Sequence, residues 1–417
     1  MSKKKIFNDP VYGFVSVPYG ILFKLVEHPY FQRLRRIKQV SLTHYVYPGA
    51  LHTRFHHAMG AMHLTQQAIH VLRTKGVEIT EEEATGALIG ILLHDIGHGP
   101  FSHTLEHTLM EVHHEELSIW FMEKLNEEFD GQLGLAIQIF KDEYPKKFLH
   151  QLISSQLDMD RLDYLNRDSF FTGVHEGVVG YHRLIQMLAV HDNKLVVEEK
   201  GILSIEKFLV ARRMMYWQVY LHKTVLSAEQ MLIRALRRAK NLANAGFELQ
   251  VPKSLAFFLN HEIRREDFVS NRDLLLDNFA RLDDFDIVSA LKNFQECDDR
   301  LLAFLSHSII DRRLFRLVLQ NERFSEEEIQ AVEEQVMKEY SFTKEEIPYL
   351  VFNGQETNAA YSTSKAEISI LLKDGRVKPM SEVSDYQVQS KLITKHYLCH
   401  PKSQAQTKNG RVLLRIP

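Results

Sequence analysis

Only two cysteines, Cys297 and Cys399, occur in 417 residues, and their spacing is not that of a metal knuckle. This excludes a disulfide framework and fits a reducing compartment. No run approaches the roughly 18 apolar residues of a membrane-spanning helix, and the opening MSKKKIFNDP lacks the apolar core of a secretory leader. A cytoplasmic location without membrane attachment is expected. Phosphate-binding glycine loops are missing as well, since neither G-x-x-x-x-G-K-[ST] nor G-x-G-x-x-G occurs, which excludes P-loop and dinucleotide chemistry. Positive charge is not in excess. A net charge of -3 and a pI near 6.8 argue against a generally basic nucleic-acid surface and leave local basic clusters suited to nucleotides or phosphates. There is no internal repeat, low-complexity tract or Pro- or Gly-rich linker.

What remains is an ordinary globular composition, 45% hydrophobic and 25% charged, long enough for one large domain with a smaller addition. Histidine stands out: there are 22, six of them between Ile91 and His114. Hydrophobic periodicity predicts a helix from about Thr53 to Arg73, ended by Gly76, and a second from Thr80 to Asp95 opened by a Thr80/Glu83 capping box. Further helical patterns cover roughly Glu116 to Asn126, Leu149 to Asn166, Ile205 to Ala243 and Asp299 to Leu319. Hairpin signals surround Asp192-Asn193 and Asp374-Gly375. The fold class is therefore mainly α, a helical body over residues 1–340 with small β hairpins, followed by a small α+β region over 341–417.

Chemistry concentrates at His94-Asp95, which the glycines of Ile96-Gly97-His98-Gly99-Pro100 would set at a turn. Adjacent residues point about 100° apart on a helix, so both can reach one ion only where the chain turns. His57 offers a second imidazole and Asp160 a second carboxylate. Mixed imidazole and carboxylate donors suit a six-coordinate Mg, Mn or Fe ion better than a closed structural zinc site. On the helix around Asp160, residues Asp160, Asp163, Tyr164, Arg167 and Asp168 share one face. For Asp163 and Arg167 a solvated, ion-paired face is the plain alternative.

The runs His52-Thr-Arg-Phe-His-His57, His94-Asp-Ile-Gly-His-Gly-Pro-Phe-Ser-His103 and Asp158-Met-Asp-Arg-Leu-Asp-Tyr164 resemble the HD-domain deoxynucleoside triphosphate triphosphohydrolases. Among these, the catalytic domain of the sterile-alpha-motif and HD-domain protein is similar in pattern. The likeness covers most of residues 5 to 320. It implies His57, His94, Asp95 and Asp160 as metal ligands, His103 and Glu106 as the proton-handling pair, and His114 in support. It implies phosphate contacts from Arg54, His98, Arg161, Tyr164 and Arg212. Lysine is commoner where Arg161 stands. Gln39 and Asp168 match groups that bind the sugar 3'-hydroxyl, and Val40 and Tyr220 match a wall against a 2'-hydroxyl, with Val40 smaller than the usual leucine.

The same resemblance implies a regulatory nucleotide site from Glu27, Gln32 and Arg35, with His222, Lys223, Arg312 and Arg316 around nucleotides at subunit contacts. For Arg33, Arg35, Arg36 and Lys38 the plain alternative is a solvated helix face. The expected activity is divalent-metal-dependent hydrolysis of a deoxynucleoside triphosphate, dGTP favoured, to deoxynucleoside and inorganic triphosphate, in a nucleotide-activated homotetramer. The rivals are an HD phosphodiesterase acting on a signalling nucleotide or nucleic-acid end, and a nucleotide-sensing binding protein.

Overall fold

In the computed structural model, which describes residues 4–358, 367–385 and 393–403 apart from His107 and the side chain of His103, helices dominate and strands are short. The mainly α class expected from the sequence holds. The chain forms two compact units, each assembled from separated stretches: Met1–Val219, Glu262–Phe285 and Ala359–Lys391 in the first, Tyr220–His261, Asp286–Asn358 and Leu392–Pro417 in the second.

Three helices of the first unit carry the histidines and aspartates of interest. The His57 helix, Arg54–Thr74, starts where His56 Nδ1 accepts the Thr53 N–H at 3.2 Å and meets the Thr53 hydroxyl at 2.9 Å. His56 thus serves the helix start. Gly76, at φ 85°, turns the chain just past its end. The His94 helix, Glu81–Leu93, opens on the expected reciprocal cap, with Glu83 N–H on Thr80 Oγ1 at 3.2 Å and Thr80 N–H on Glu83 Oε2 at 2.9 Å. It is buried nearly all round rather than on one face, which makes it the central helix of the unit.

The helix expected over 149–166 is two helices, Lys147–Ile153 and Met159–Thr172. Asp158 causes the break, because its carboxylate accepts the Ser155 and Arg161 N–H groups at 2.7 Å each and so caps a new helix. Asp160 consequently sits in the first turn of this Asp160 helix. The His57 helix packs on both the His94 and the Asp160 helices. The contact with the latter is closest at Gly60, where an added Cβ would fall 2.0 Å from Asp163 Oδ1 and 2.2 Å from Arg167 Nη2.

Both expected hairpins form and join in one sheet: Leu188–His191 pairs antiparallel with Lys194–Glu198, which pairs parallel with Ser369–Leu371, which pairs antiparallel with Val377–Pro379. A hairpin the periodicity did not suggest, Lys4–Asp9 with Gly13–Pro18, opens the unit.

The pattern over 205–243 is interrupted. Helix Ile202–Met215 runs into a π turn, Tyr216–Tyr220, and the second unit resumes with Lys223–Asn244. The pattern over 299–319 is likewise not one helix. Asp299 caps Arg300–Ile310, Arg312 takes a left-handed φ of 56°, and Arg316–Gln320 becomes an edge strand beside Ile393–His400, whose other neighbour is Phe352–Asn358. Alternating Arg316 exposed and Leu317 buried fits a strand. Tyr340, at the expected boundary between 1–340 and 341–417, ends the helix Glu326–Tyr340 inside this unit. Of residues 401–417, only Pro401 to Ser403 are among the described residues.

Gly60→Ala should force the His57 and Asp160 helices apart and lower stability by roughly 1–3 kcal/mol, the usual cost of overpacking a tight core. Urea unfolding at equal protein concentration checks this, and an unchanged midpoint would show that the helices have room to spare.

Candidate metal centre and active site

At the C-terminal end of the His94 helix, backbone and side chains fix both imidazoles. His94 Nδ1–H donates to Ile91 O at 2.6 Å, and His57 Nδ1–H donates to Asp163 Oδ2 at 2.8 Å. Each ring therefore presents its Nε2 lone pair inward. Asp163 is in turn gripped by Arg167, whose Nε and Nη2 lie 2.9 Å from its two oxygens, while Arg167 Nη1 reaches Asp9 Oδ2 at 2.8 Å. These groups are buried, so the solvated-face alternative for Asp163 and Arg167 does not apply.

The inward atoms converge. His57 Nε2 is 3.2 Å from His94 Nε2 and 3.1 Å from Asp160 Oδ1, and His94 Nε2 is 3.5 Å from Asp160 Oδ1. Donors bound to one ion at about 2.1 Å lie about 3.0 Å apart in neighbouring octahedral positions and about 3.4 Å apart in a tetrahedron. The residues fit one divalent cation, and His57, His94 and Asp160 form the metal-competent group among the described residues. Asp95 stands beside them, with Oδ1 3.3 Å from His94 Nε2 and Oδ2 3.6 Å from His57 Nε2. It also pairs with Arg54 and lies 3.3 Å from His98 Nε2.

The electrostatics ask for positive charge. Burial alone would depress His57, but hydrogen bonds to Asp160 and Asp163 and the fields of Asp163 and Asp95 outweigh it and raise its pKa to about 10. Burial opposes ionisation of Asp95 too, yet Arg54, His94 and His98 hold it well below the ordinary carboxylate range. His98, by contrast, is held well below its usual value by burial and by Arg54.

Around this group stand the other residues singled out from the sequence. Arg54 Nε donates to Ser102 Oγ at 2.8 Å. His114 Nδ1 lies 2.8 Å from Glu106 Oε1, which also accepts the His114 N–H at 3.1 Å, and the His114 ring stacks on His98 at 3.9 Å. His103 sits in the turn Ser102–Thr104, and its side chain lies outside the described residues. Arg161 Nε donates to Ser155 O at 2.7 Å. Tyr164 is raised above its ordinary pKa by burial and by Tyr216, against the pull of Arg161 and Arg212, so these groups share one neighbourhood. Asp168 Oδ1 takes His52 Nε2–H at 2.7 Å. Gln39 Oε1 is buried without a hydrogen-bond partner, and Val40 follows it in the same loop. Tyr220 belongs to the second unit.

Two models of known families match this chain: an HD domain over residues 54–168 and an HD associated region over residues 179–249. A solved phosphohydrolase from Bacteroides thetaiotaomicron is 50% identical, covers 96% of this chain and all of its own, and superposes with a TM-score of 0.93. The chain belongs to the HD-domain phosphohydrolases. An uncharacterised protein of Bacillus subtilis is 29% identical over 96% of this chain and 93% of its own length. The SAMHD1 homologue of Dictyostelium discoideum, a deoxynucleoside triphosphate triphosphohydrolase, is 31% identical over 63% of this chain. The match takes in 54% of that relative, about half its length.

Periodicity alone did not single out several residues that build the site of this HD-domain phosphohydrolase. Arg33, expected on a solvated face, is buried and donates through Nη2 to Ile96 O at 2.7 Å and His98 O at 2.9 Å, and through Nη1 to Leu282 O at 3.2 Å. Arg36 pairs with Asp283 and Lys38 with Asp284. Arg35 is exposed, with its Nε on Gln32 Oε1 at 2.8 Å and its guanidinium over Phe55. Gly97 lies in the turn that follows the helix, as the sequence suggested, but without a left-handed backbone. It is needed because a Cβ there would lie 2.2 Å from His114 O.

Asp163→Asn keeps the shape of the His57 partner while removing its charge. It should weaken Mn²⁺ binding 10–100-fold by calorimetry, about the usual effect of losing a partner behind a metal-ligating histidine. Undiminished affinity would reduce Asp163 to a structural ion pair with Arg167.

Proposed function

We propose that this protein hydrolyses a deoxynucleoside triphosphate, with dGTP favoured, to the deoxynucleoside and inorganic triphosphate. The observation that carries the reading is the distribution of guanidinium groups beside the His57, His94 and Asp160 donors. Arg54 stands on the Asp95 side, and Arg161 and Arg212 gather around Tyr164 near Asp160. A phosphodiester needs little more than one charge neutralised, whereas a departing triphosphate needs several cations along its length.

In this reading His57, His94, Asp95 and Asp160 hold a divalent ion, Mg, Mn or Fe. Such an ion would polarise a phosphoryl oxygen and offset its charge. Arg54 and His98 address the phosphate next to the sugar, and Arg161, Tyr164 and Arg212 the outer phosphates. Gln39 and Asp168 hold the sugar 3'-hydroxyl, with Val40 and Tyr220 excluding a 2'-hydroxyl. His103 and Glu106, supported by His114, handle the protons of the attacking water and the departing sugar oxygen. The Glu106–His114 contact at 2.8 Å supports this, because it holds the Glu106 carboxylate against an imidazole that can orient it.

Regulation by a second nucleotide in a homotetramer completes the proposal. Gln32 and Arg35 offer a hydrogen-bonded polar pair beside exposed Glu27 on the first unit. On the second unit, His222 Nδ1 accepts the Thr224 N–H and so heads a helix beginning at Lys223, and Arg316 is exposed on its edge strand. Arg312 stands just before that strand.

Incubation of the purified protein with each dNTP, with chromatographic identification of products, tests the reaction. Triphosphate and deoxynucleoside are expected, while phosphate monoester or pyrophosphate would favour the HD phosphodiesterase. His57→Ala and Asp95→Ala should abolish turnover and lower bound metal. His103→Ala and Glu106→Gln should cut the rate by roughly 10² to 10⁴ with metal retained, the usual range for a proton-transfer group. Loss of metal in proportion to activity in the latter pair would overturn their proton-handling role.

Activation is tested with one dNTP as substrate and another added. The second nucleotide should raise the rate in the parent and lose that effect in Arg35→Ala and Lys223→Ala. Hyperbolic kinetics in every pairing, with both variants like the parent, would leave these residues as surface charges.

A further inference from the structure

Phe101 and Ser102 are consecutive non-glycine residues in the left-handed region, each with φ 53°, a conformation that persists only where its surroundings impose it. The group that grips this turn comes from far along the chain. Asp284 Oδ1 accepts the Phe101 N–H at 2.7 Å, and Oδ2 accepts the Lys38 N–H at 2.9 Å. Two further bonds join the same loops: the Ser102 hydroxyl donates to Lys38 O at 3.1 Å, and the Ser41 and Thr104 hydroxyls lie 2.8 Å apart. Asp284 is buried and lies outside the residues matched by the HD domain.

We propose that Asp284 is a positioning residue that locks the 38–41 loop against the 101–104 turn, so that Gln39 and Val40 on one side and His103 and Glu106 on the other address the same substrate. The claim about catalysis rests on the roles proposed above for those four residues. The claim about register rests on the bonds alone.

The geometry explains why a carboxylate is used. Two N–H groups from separate loops point at one side chain, and only a carboxylate offers each an acceptor oxygen, whereas an amide would turn its NH₂ toward one of them. The charge is held at a cost. Burial raises the Asp284 carboxyl to about 6, against the opposing pull of the Lys38 and Phe101 N–H groups and the Lys38 ammonium, with Asp283 adding to the rise. The Lys38 ammonium lies 3.8 Å away, and the buried Arg33 guanidinium also feels this carboxylate. A folded-state pKa above the unfolded one means that the folded protein takes up the extra proton, so stability falls as pH rises through that window. Neutralising Asp284 at pH 7 therefore relieves a cost while it spoils the register.

The test compares Asp284→Asn with the parent and with Asp283→Asn, whose carboxylate serves Arg36 and the Phe285 N–H instead. Asp284→Asn should leave Tm unchanged or higher and speed hydrogen exchange in peptides spanning 36–42 and 99–105. It should lower kcat for dGTP about tenfold or more with KM little changed, as expected for misplaced groups. Asp283→Asn should match the parent in exchange and rate. Unchanged exchange in Asp284→Asn, or a kcat that falls only in step with Tm, overturns the proposal. If the parent does not hydrolyse dGTP, the functional reading fails and the exchange result alone decides the register. The parent also provides a check without any variant: its Lys38 and Phe101 amides should be protected about a hundredfold or more, and exchange at ordinary loop rates there overturns the proposal.

Discussion

The Asp163 carboxylate is fully buried, and a buried ion persists only where partners replace its lost hydration. Here Arg167 takes both oxygens and His57 one of them. That single requirement orders much of the first unit. It orients the His57 ring, and it draws the His57 and Asp160 helices together at a glycine. Through Arg167 it also ties the N-terminal hairpin to both by way of Asp9. Removing one partner of such a group typically costs about 3–5 kcal/mol, because the remaining charge stays buried. The arrangement is therefore evidence for a specified geometry more than for added stability.

A second constraint acts at the end of the His94 helix, where the last carbonyls of any helix lack intrahelical partners. Here side chains that shape the site satisfy them. Ile91 O takes His94 Nδ1–H, and His94 O takes the Ser118 hydroxyl at 2.8 Å, while Ser118 Oγ in turn accepts the Gly97 N–H at 3.0 Å. Arg33 then collects Ile96 O and His98 O. Helix termination and ligand orientation are thus one event. The close pass of the His114–Glu128 helix at Gly97 shows why a side chain is not tolerated there.

The centre of the site was legible because its signals are local. The Thr80/Glu83 cap, the buried run that follows and the His94-Asp95 pair at its end are set by short-range periodicity and spacing. A His-Asp pair alone is common; the further donors His57 and Asp160 made it a candidate site, and the resemblance supplied the ligand set. Polar residues used tertiarily were not legible from pattern. Asp158 looks like one more helical carboxylate until its two N–H bonds make it a cap, and Arg33 looks like its exposed neighbour Arg35 until three distant carbonyls surround it. Arg316 was read as helical because Leu317 and Leu319 fit either period over so short a run. For Arg33 and Arg316 the deciding partner lies many residues away, outside any window of sequence, whereas the N–H groups that make Asp158 a cap are only three residues off and were a local signal that periodicity does not weigh.

Two of the buried polar atoms left without partners belong to residues of the proposed site. The groups that hold the His and Asp donors in place are engaged: Asp163, Arg167 and Ser118 each have hydrogen-bond partners. Among the few buried side-chain atoms lacking one are Gln39 Oε1 and Arg212 Nε, both from the set proposed to touch substrate. Native proteins rarely leave such atoms unsatisfied, since each forfeits the hydration it had in water. Tyr12, Arg33, His44, His52 and Ser306 also contribute such atoms, so the property alone does not define a site. What distinguishes Gln39 and Arg212 is their direction of need. One offers an acceptor to a hydroxyl, and the other offers a charged donor to an anionic oxygen. On the proposed function, a sugar hydroxyl and a phosphate would meet those two needs together, where an inorganic anion would meet only one.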